Sequence, residues 1–144
     1  MCQVILLIAC SAKKWPLRPR VRVPARNLYA GTLTRLALEL AAVKGWEPLI
    51  LSAKYGIIKP TERIEWYDQK LTEPYDGPWP EGSGWFVGSR LYFGKAPERF
   101  QRLLPPGLMI GQQLKYLKDL IRETKGDHCY PSLGIRLRSP GFGT

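Results

Sequence analysis

Apolar positions fall into two short continuous runs with a helical pattern between them. Residues 3–9 are almost all hydrophobic, and residues 48–52 form a second run. Continuous runs of this length predict strands that are covered on both faces, as in a parallel sheet. Between them, apolar residues recur at helical spacing from Asn27, a good N-cap, to Lys44, and Gly45 supplies a stop signal. This order predicts a parallel β–α–β unit with a right-handed crossover.

The second half of the chain carries a weaker strand signal and two further helical patterns. Residues 85–93 predict a third strand, residues 97–104 a short helix that begins at proline, and residues 109–125 a longer helix with one apolar face. A strand-like stretch at residues 134–138 precedes a Gly/Pro-rich end, residues 139–144, that is expected to fray. Together these elements predict an α/β fold with a mainly parallel sheet.

Charge is distributed unevenly along the chain. Lys and Arg total 22 against 12 Asp and Glu, a formal net charge of +10. Residues 1–38 hold seven basic side chains and no acidic one, whereas residues 62–81 hold six acids and two bases. This separation predicts a surface that attracts polyanions through counterion release, although high charge can also serve solubility alone. We expect the Pro-rich basic arm, residues 13–26, to bind nucleic acid through Arg18, Arg20, Arg22 and Arg26.

An acidic segment rich in proline, glycine and aromatic residues occupies residues 60–85. So many aromatic residues predict an ordered excursion that packs on the domain rather than a loose linker. The length of the chain favours one core, so the basic arm, the excursion and the helices are assigned to a single domain, residues 1–144.

Composition disfavours several classes of protein. The three cysteines, Cys2, Cys10 and Cys129, form no CxxC pair, and His128 is the only histidine, so neither a disulfide framework nor a zinc site is expected. No run approaches the roughly 18 apolar residues of a membrane span, and no basic segment precedes the first apolar run as in a signal peptide. We expect a cytoplasmic protein that uses no metal and no cofactor.

Two polar loops follow the two apolar strands, at the ends where ligands bind in open parallel sheets. The loop Cys10-Ser-Ala-Lys-Lys14 follows the first strand, and Ser52-Ala-Lys-Tyr-Gly56 follows the second. Hydroxyls, ammonium groups and backbone amides that converge at one edge suit a phosphate or a carbonyl-bearing base. The sequence therefore predicts a substrate site with a tight turn at Gly56 and ligands from Ser11, Lys13, Lys14, Ser52 and Lys54.

Three side chains are candidates for catalysis, and each has a plainer alternative. Cys10 lies beside two lysines that could activate it as a nucleophile, or it is a small buried side chain. Lys54 could form a Schiff base or hold a phosphate, or it is a solvated charge. Asp68 could activate water or stabilise a cationic transition state, or it pairs with the basic arm.

Aromatic residues near these loops are candidates for binding a base. Tyr55, Trp66 and Tyr67 could stack on a base, or they could pack on the core of the domain. Tyr29 and Arg26 lie at the start of the first long helix, a position that suits an anion, although Arg26 could equally hold only the loop.

Five motifs in a fixed order make the chain similar to a known group of domains. They are Cys10-Ser-x-Lys-Lys14, Ala25-Arg-Asn-Leu-Tyr29, Leu51-Ser-Ala-Lys-Tyr-Gly56, Ile64-Glu-x-Tyr-Asp68 and Gly107-Leu-Met-Ile-Gly111. On these motifs the chain resembles a family of small uncharacterised bacterial and phage domains, over residues 3–125.

Those domains look distantly similar to a domain of archaeosine synthase, a tRNA base-modifying enzyme, and that domain resembles the uracil-DNA glycosylase fold. The resemblance implies a three-layer α/β/α arrangement around a mainly parallel sheet, and a function on nucleobases. Two features depart from it. A Pro/Trp-rich insertion occupies residues 74–85, and the water-activating motif of a glycosylase does not align to the first loop.

Taken together, these features predict an enzyme that modifies or excises a nucleic-acid base, acting at the base or at its N-glycosidic bond. The alternative is a nucleic-acid- or nucleotide-binding module without turnover. A third possibility is an enzyme that acts on free nucleotides, in which case mononucleotides would bind about as well as oligonucleotides.

Overall fold

A computed structural model describes residues 4–9, 14–29, 31–69 and 72–128 of the chain. Within these ranges the elements, in chain order, are β1 (Val4–Ala9), β2 (Arg22–Pro24), α1 (Ala25–Leu28), α2 (Thr32–Lys44), β3 (Glu47–Ser52), β4 (Gly56–Ile58), β5 (Arg63–Glu65), β6 (Ser83–Val87), a 3-10 helix (Arg90–Phe93), β7 (Phe100–Arg102) and α3 (Ile110–His128).

Five of the strands form one sheet in the order β4-β3-β1-β6-β7. The central strand β1 runs parallel to β3 on one side and to β6 on the other, and β7 extends the parallel set beyond β6. β4 returns antiparallel from β3 as a hairpin. The predicted α/β class, the mainly parallel sheet and the β–α–β unit are confirmed.

One face of the sheet is covered by α2 and α3. Leu6 and Ile8 of β1 point to this face and pack with Leu40 and Ala41 of α2 and with Leu117 of α3. All five side chains are almost completely buried. This burial explains why the first strand is a continuous apolar run, since its remaining residues face the other side of the sheet.

The opposite face is covered by aromatic side chains rather than by α-helices. Ile5 and Leu7 of β1 pack in one cluster with Phe93 of the 3-10 helix, and Tyr75 and Trp79 of the acidic excursion lie against it. Prolines interrupt that excursion and prevent a regular helix. The predicted α/β/α layering is therefore only partly correct for the described residues. The prediction that the excursion packs on the domain is confirmed.

The first long helix is broken, although the sequence predicts it as continuous from Asn27. α1 ends at Leu28, Tyr29 is extended, and α2 begins at Thr32. The predicted end is confirmed, because Gly45 caps α2 in the left-handed conformation. The break matters for the site, since it allows Tyr29 to form a β-bridge with the chain that follows β1.

Two predicted elements in the second half differ from the structure. The predicted helix at residues 97–104 is wrong, because β7 lies there and Phe100 is buried in the core. Pairing with β6 completes the sheet, and this tertiary interaction overrides the helix-start signal of the proline. The strand predicted at residues 85–93 ends at Val87 and is followed by the 3-10 helix.

A two-stranded antiparallel ribbon joins the basic arm to the acidic excursion. β2 pairs with β5, so that Arg22 lies opposite Glu65 and Val23 opposite Ile64. The predicted strand at residues 134–138 and the predicted fraying end lie outside the described residues. Among the described helices, none is long and apolar enough to cross a membrane.

Candidate functional site

Polar residues gather at the carboxyl end of β3, where the sequence predicts a substrate site. Ser52 ends this strand, and the turn after it carries Lys54 and Tyr55. The loop that follows β1 contributes Lys14, the first described residue after Ala9. The other predicted residues of that loop, Cys10, Ser11 and Lys13, lie outside the described ranges.

Three buried hydroxyl groups form a chain at the centre of this site. The Tyr29 and Tyr67 hydroxyl oxygens lie 2.7 Å apart, and the Tyr67 oxygen lies 3.0 Å from Ser52 Oγ. The three residues are 5% exposed or less. Ser52 Oγ also accepts hydrogen bonds from the backbone N–H groups of Lys54 and Tyr55, at 3.3 and 3.1 Å. The chain of hydroxyls therefore fixes the turn after β3 to two distant tyrosines.

Backbone contacts hold Lys14 beside this chain. Lys14 forms an isolated antiparallel bridge with Tyr29, and the next residue, Trp15, donates its backbone N–H to the Leu28 carbonyl at 2.8 Å. These contacts use the extended backbone of Tyr29, which the break between α1 and α2 provides. Three elements that are far apart in sequence thus meet around Tyr67.

Lys14 places its charge on the ring of Tyr67. Its Nζ lies 4.4 Å from the ring centroid, within the range of a cation–π interaction. The rings of Tyr55 and Tyr29 approach the same ring edge-on, at centroid distances of 5.7 and 6.5 Å. Lys54 Nζ in turn lies 5.4 Å from the Tyr55 centroid on the outer side of the group. We call Lys14, Tyr29, Ser52, Tyr55 and Tyr67 the tyrosine cluster.

The cluster is a filled site. Because Tyr67 is 5% exposed and lies under the Lys14 ammonium, a base could stack on it only if Lys14 moved. Lys54 is exposed, and Lys14 and Tyr55 are partly exposed, so solvent reaches these members of the predicted site. The predicted turn at Gly56 is present, with a φ of 74° that favours glycine.

Asp68, the predicted acid–base residue, lies at the surface directly after Tyr67. Its neighbour Gln69 donates from Nε2 to the Ala53 carbonyl at 2.9 Å, which ties this segment to the turn after β3. In the described part of the chain Asp68 forms no ion pair. Glu65 does pair with the basic arm, since its Oε2 lies 3.6 Å from Arg22 Nε.

The four arginines predicted to bind nucleic acid are all exposed. Arg22 lies in β2 and Arg26 in α1, so the ribbon and the first helix hold part of the arm in place. Arg63 of β5 joins them, because its Nη2 donates to the Arg22 carbonyl at 3.0 Å. We call this surface the arginine face; it consists of Arg18, Arg20, Arg22, Arg26 and Arg63.

Two exposed tryptophans adjoin members of the tyrosine cluster in sequence. Trp15, next to Lys14, is 58% exposed, and Trp66, next to Tyr67, is 43% exposed. Sequence reasoning identified Trp66 as a residue that could hold a base but missed both Trp15 and Arg63. A tryptophan between two lysines and the first arginine of the arm is a readable signal for Trp15. Arg63 had no such signal, since only the β2–β5 pairing brings it to the arm.

Among the described residues, no group of three or more His, Cys, Asp or Glu side chains could hold a metal ion.

Comparison with known proteins gives one positive result. No curated protein and no solved structure matches the chain. A family model described as a family of unknown function, DUF6884, matches residues 5–77. This range contains β1 from its second residue onward, the arginine face, the tyrosine cluster and most of the acidic excursion. It covers about half of the chain, so the protein belongs to the DUF6884 family.

Proposed function

We propose that this domain binds nucleic acid along its arginine face. The observation that carries the proposal is the set of exposed guanidinium groups on and beside the β2–β5 ribbon. Arginines bind phosphates through paired N–H donors, and release of the counterions condensed on a nucleic acid favours the complex. The net charge of +10 adds long-range attraction of a polyanion.

Most of these arginines are available to a phosphate. Arg18, Arg20 and Arg26 form no ion pair within the described residues. The pair between Arg22 and Glu65 is long and exposed at both partners, and such surface pairs contribute little to stability. A phosphate can therefore replace Glu65 at small cost.

The exposed tryptophans favour a single strand as the ligand. In a duplex the faces of the bases are stacked on each other, whereas a single strand offers them to aromatic side chains. Trp15 and Trp66 are large, exposed and adjacent in sequence to the Lys14–Tyr67 contact. Together with the arginine face they provide both kinds of contact that a single strand needs.

The salt dependence of binding tests this proposal. Replacing Arg18, Arg20 and Arg22 by glutamine should reduce the slope of log affinity against log salt for a short single-stranded oligonucleotide by about two, since each phosphate contact on a single strand contributes about 0.7. The matched control replaces Lys115, Lys118 and Arg122 of α3 by glutamine. These residues are also exposed, and the replacement removes the same total charge. An unchanged slope in the arm variant, or an equal change in the control, would contradict the proposal.

A second candidate function is chemistry on a base held beside the arginine face. It is favoured by the position of Asp68, exposed and directly after the ring on which Lys14 lies. In this proposal Asp68 does the acid–base work, while Lys54 or Cys10 supplies a nucleophile or a charge and Tyr55 contacts the base. The resemblance to the archaeosine synthase domain and to the uracil-DNA glycosylase fold supports the same reaction class, base modification or excision.

Mass spectrometry separates the two candidates. DNA and RNA oligonucleotides that contain normal, modified and mismatched bases are incubated with the protein, with Asp68→Asn and with Asp76→Asn, a control at another exposed aspartate. An enzyme that uses Asp68 releases or alters a base with the unmodified protein and the control but not with Asp68→Asn. Binding without any change in mass supports the binding module alone. Equal activity of Asp68→Asn would overturn the role of that residue.

A further inference from the structure

A cleft opens at the carboxyl edge of the sheet between β1 and β6. The chain leaves β1 to form β3 on one side, and it later returns to form β6 on the other side. The connections diverge at this point, and open α/β sheets bind their ligands in the crevice so formed. The structure has a cavity of about 390 Å³ there, lined by Ala9, by the first turn of α2, by Gly88 and Ser89 after β6, and by the start of α3.

Glycine makes one wall of this cleft. Gly88 has a φ of 120°, and a Cβ built on it would lie 2.6 Å from the Cβ of Ala9. Only glycine therefore allows the backbone after β6 to pass so close to the end of β1. A wall made of backbone leaves polar peptide groups within reach of a bound ligand.

The second wall is the amino end of α2. The cap residue Gly31 provides no side-chain hydrogen bond, and the first turn contains no acidic residue. The partial positive charge of a helix amino end and its first N–H groups therefore face the cleft without a side-chain partner from the cap. These features suit an anion, but a helix terminus alone would not indicate a site.

The side chain of Thr34 gives evidence for a ligand site that does not depend on the helix terminus. It lines the cavity, it is 2% exposed, and its hydroxyl has no hydrogen-bond partner within the described residues. Buried hydroxyls in folded proteins almost always have a partner. The other buried threonine, Thr124, follows that rule by donating from Oγ1 to the Leu120 carbonyl at 2.8 Å. The Thr34 hydroxyl, which is unpaired among the described residues, is therefore a group that a ligand in the cleft would satisfy.

A positive side chain adjoins the same wall. A smaller cavity of about 180 Å³ shares Gly88 and Ser89 with the cleft and is lined by Arg102 of β7. Arg102 is partly exposed and forms no ion pair in the described part of the chain. Leu33 and Leu114 make another part of the lining apolar. The cleft therefore combines anion-binding groups with an apolar wall.

We infer that this cleft binds the phosphate group of a nucleotide. The phosphate would accept hydrogen bonds from the first turn of α2 and from the Thr34 hydroxyl, with Arg102 supplying charge. The apolar wall would contact the nucleoside. The phosphate can belong to a free mononucleotide or to the 5′-end of a strand. The inference rests on the cleft alone and does not require the arginine face to bind nucleic acid.

Calorimetric titration tests the inference with defined probes. The probes are inorganic phosphate, AMP, adenosine, and one short oligonucleotide with and without a 5′-phosphate. We expect AMP to bind more tightly than adenosine if the source is a free nucleotide, and the phosphorylated oligonucleotide to bind more tightly than its counterpart if the source is a strand end. If neither phosphorylated probe exceeds its unphosphorylated counterpart, the inference is overturned.

Thr34→Val is the decisive variant, because valine keeps the shape of threonine and removes only the hydroxyl. Loss of one hydrogen bond to a charged group should lower the affinity for the phosphorylated probe about tenfold or more. The Tm without ligand should not fall, because the hydroxyl has no partner to lose among the described residues. Thr124→Val is the matched control, in which Tm falls and affinity is unchanged. Unchanged affinity in Thr34→Val would overturn the role of the cleft.

Arg102→Gln gives a separate reading of the charge. It should weaken phosphate binding and reduce the salt dependence of AMP affinity, whereas Arg122→Gln, an exposed arginine of α3 that pairs with Asp119, should do neither. The variant of the arginine face should leave AMP affinity within twofold of the unmodified protein. These variants therefore test phosphate binding in the cleft separately from nucleic-acid binding on the arginine face. If Arg102→Gln and Arg122→Gln behave alike, Arg102 is not part of the site.

Discussion

The two halves of the carboxyl edge of the sheet differ in how their polar groups are satisfied. At the end of β3, the hydroxyls of Tyr29, Tyr67 and Ser52 are bonded to one another, and Lys14 covers the Tyr67 ring. Between β1 and β6, the edge is open and the buried hydroxyl of Thr34 has no partner among the described residues. The same edge thus contains a filled cluster and an open cleft.

This difference separates residues that hold the fold from residues that await a ligand. A satisfied buried network stabilises one arrangement of the chain, and the low dielectric of its surroundings strengthens each bond. An unsatisfied buried hydroxyl costs free energy in the absence of a partner. Sequence-based reasoning assigns the residues of the tyrosine cluster to a ligand site because they are polar or aromatic and lie in or near the two loops. It does not identify Thr34, which lies in the first turn of α2.

The largest expected effect contrasts Tyr67→Phe with Thr34→Val in the ligand-free protein. Tyr67→Phe removes a hydroxyl that lies within hydrogen-bonding distance of both Tyr29 and Ser52, and we expect it to lower the free energy of unfolding by about 2 kcal/mol. Thr34→Val should leave the free energy of unfolding unchanged or raise it by up to about 1 kcal/mol. Urea unfolding of both variants at neutral pH measures these values.

Tyr116→Phe is the control for the loss of a phenol hydroxyl. Tyr116 lies on α3 and is 37% exposed, so its variant should remain within about 0.5 kcal/mol of the unmodified protein. The comparison between the two halves breaks down if Tyr67→Phe and Thr34→Val destabilise the protein equally. It also breaks down if Tyr67→Phe behaves like the control.

Much of the sheet was predictable because it depends on continuous apolar runs. β1 and β3 are buried on both faces, and nearly every residue of both runs is therefore apolar. β7 could not be predicted, because three residues hold little pattern and Phe100 follows a proline that normally starts a helix. Its strand conformation depends on pairing with the neighbouring β6, whose Gly84 lies 16 residues before its partner Phe100.

The tyrosine cluster was predictable in membership but not in arrangement. Lys14, Tyr29, Ser52, Tyr55 and Tyr67 are all residues that the sequence assigns to the site, and the structure brings them together. The sequence could not reveal that Lys14 covers Tyr67, because this contact depends on the bridge between Lys14 and Tyr29. That bridge exists only because the first helix is broken after Leu28, a break that helical spacing does not encode.

An intermediate effect is expected when the Lys14 ammonium is removed from the Tyr67 ring. Lys14→Met keeps a long apolar side chain but removes the ammonium that lies 4.4 Å from the Tyr67 centroid, and we expect a loss of about 1 kcal/mol. Lys54→Met is the matched change over Tyr55, where the distance is 5.4 Å and the lysine is exposed, and it should cost less. Urea unfolding at low and high salt measures both. Equal losses of stability in the two variants would mean that burial of the Tyr67 ring does not strengthen its contact with Lys14.

The smallest effect concerns pH and Tyr75, which lies beside the filled half of the edge. The Tyr75 hydroxyl lies next to Gly56, 3.4 Å from where a Cβ would be if this residue were not glycine. It donates a hydrogen bond to the Pro78 carbonyl at 2.9 Å. Partial burial raises the pKa of Tyr75 above its ordinary value of 10.0, and a backbone hydrogen bond from Ile57 offsets part of this rise. The folded protein therefore holds this proton more tightly than the unfolded chain does.

The sign of the pH effect follows from that difference. The contribution of Tyr75 to stability is complete below the ordinary pKa of 10.0, and it is lost as the pH rises through the higher pKa of the folded state. Over this alkaline range the unmodified protein should lose stability more steeply than Tyr75→Phe, which has no phenol to ionise. Urea unfolding at a series of alkaline pH values measures the two slopes. Parallel slopes for Tyr75→Phe and the unmodified protein would contradict this prediction, because they would mean that the phenol ionises equally readily in the folded and the unfolded state.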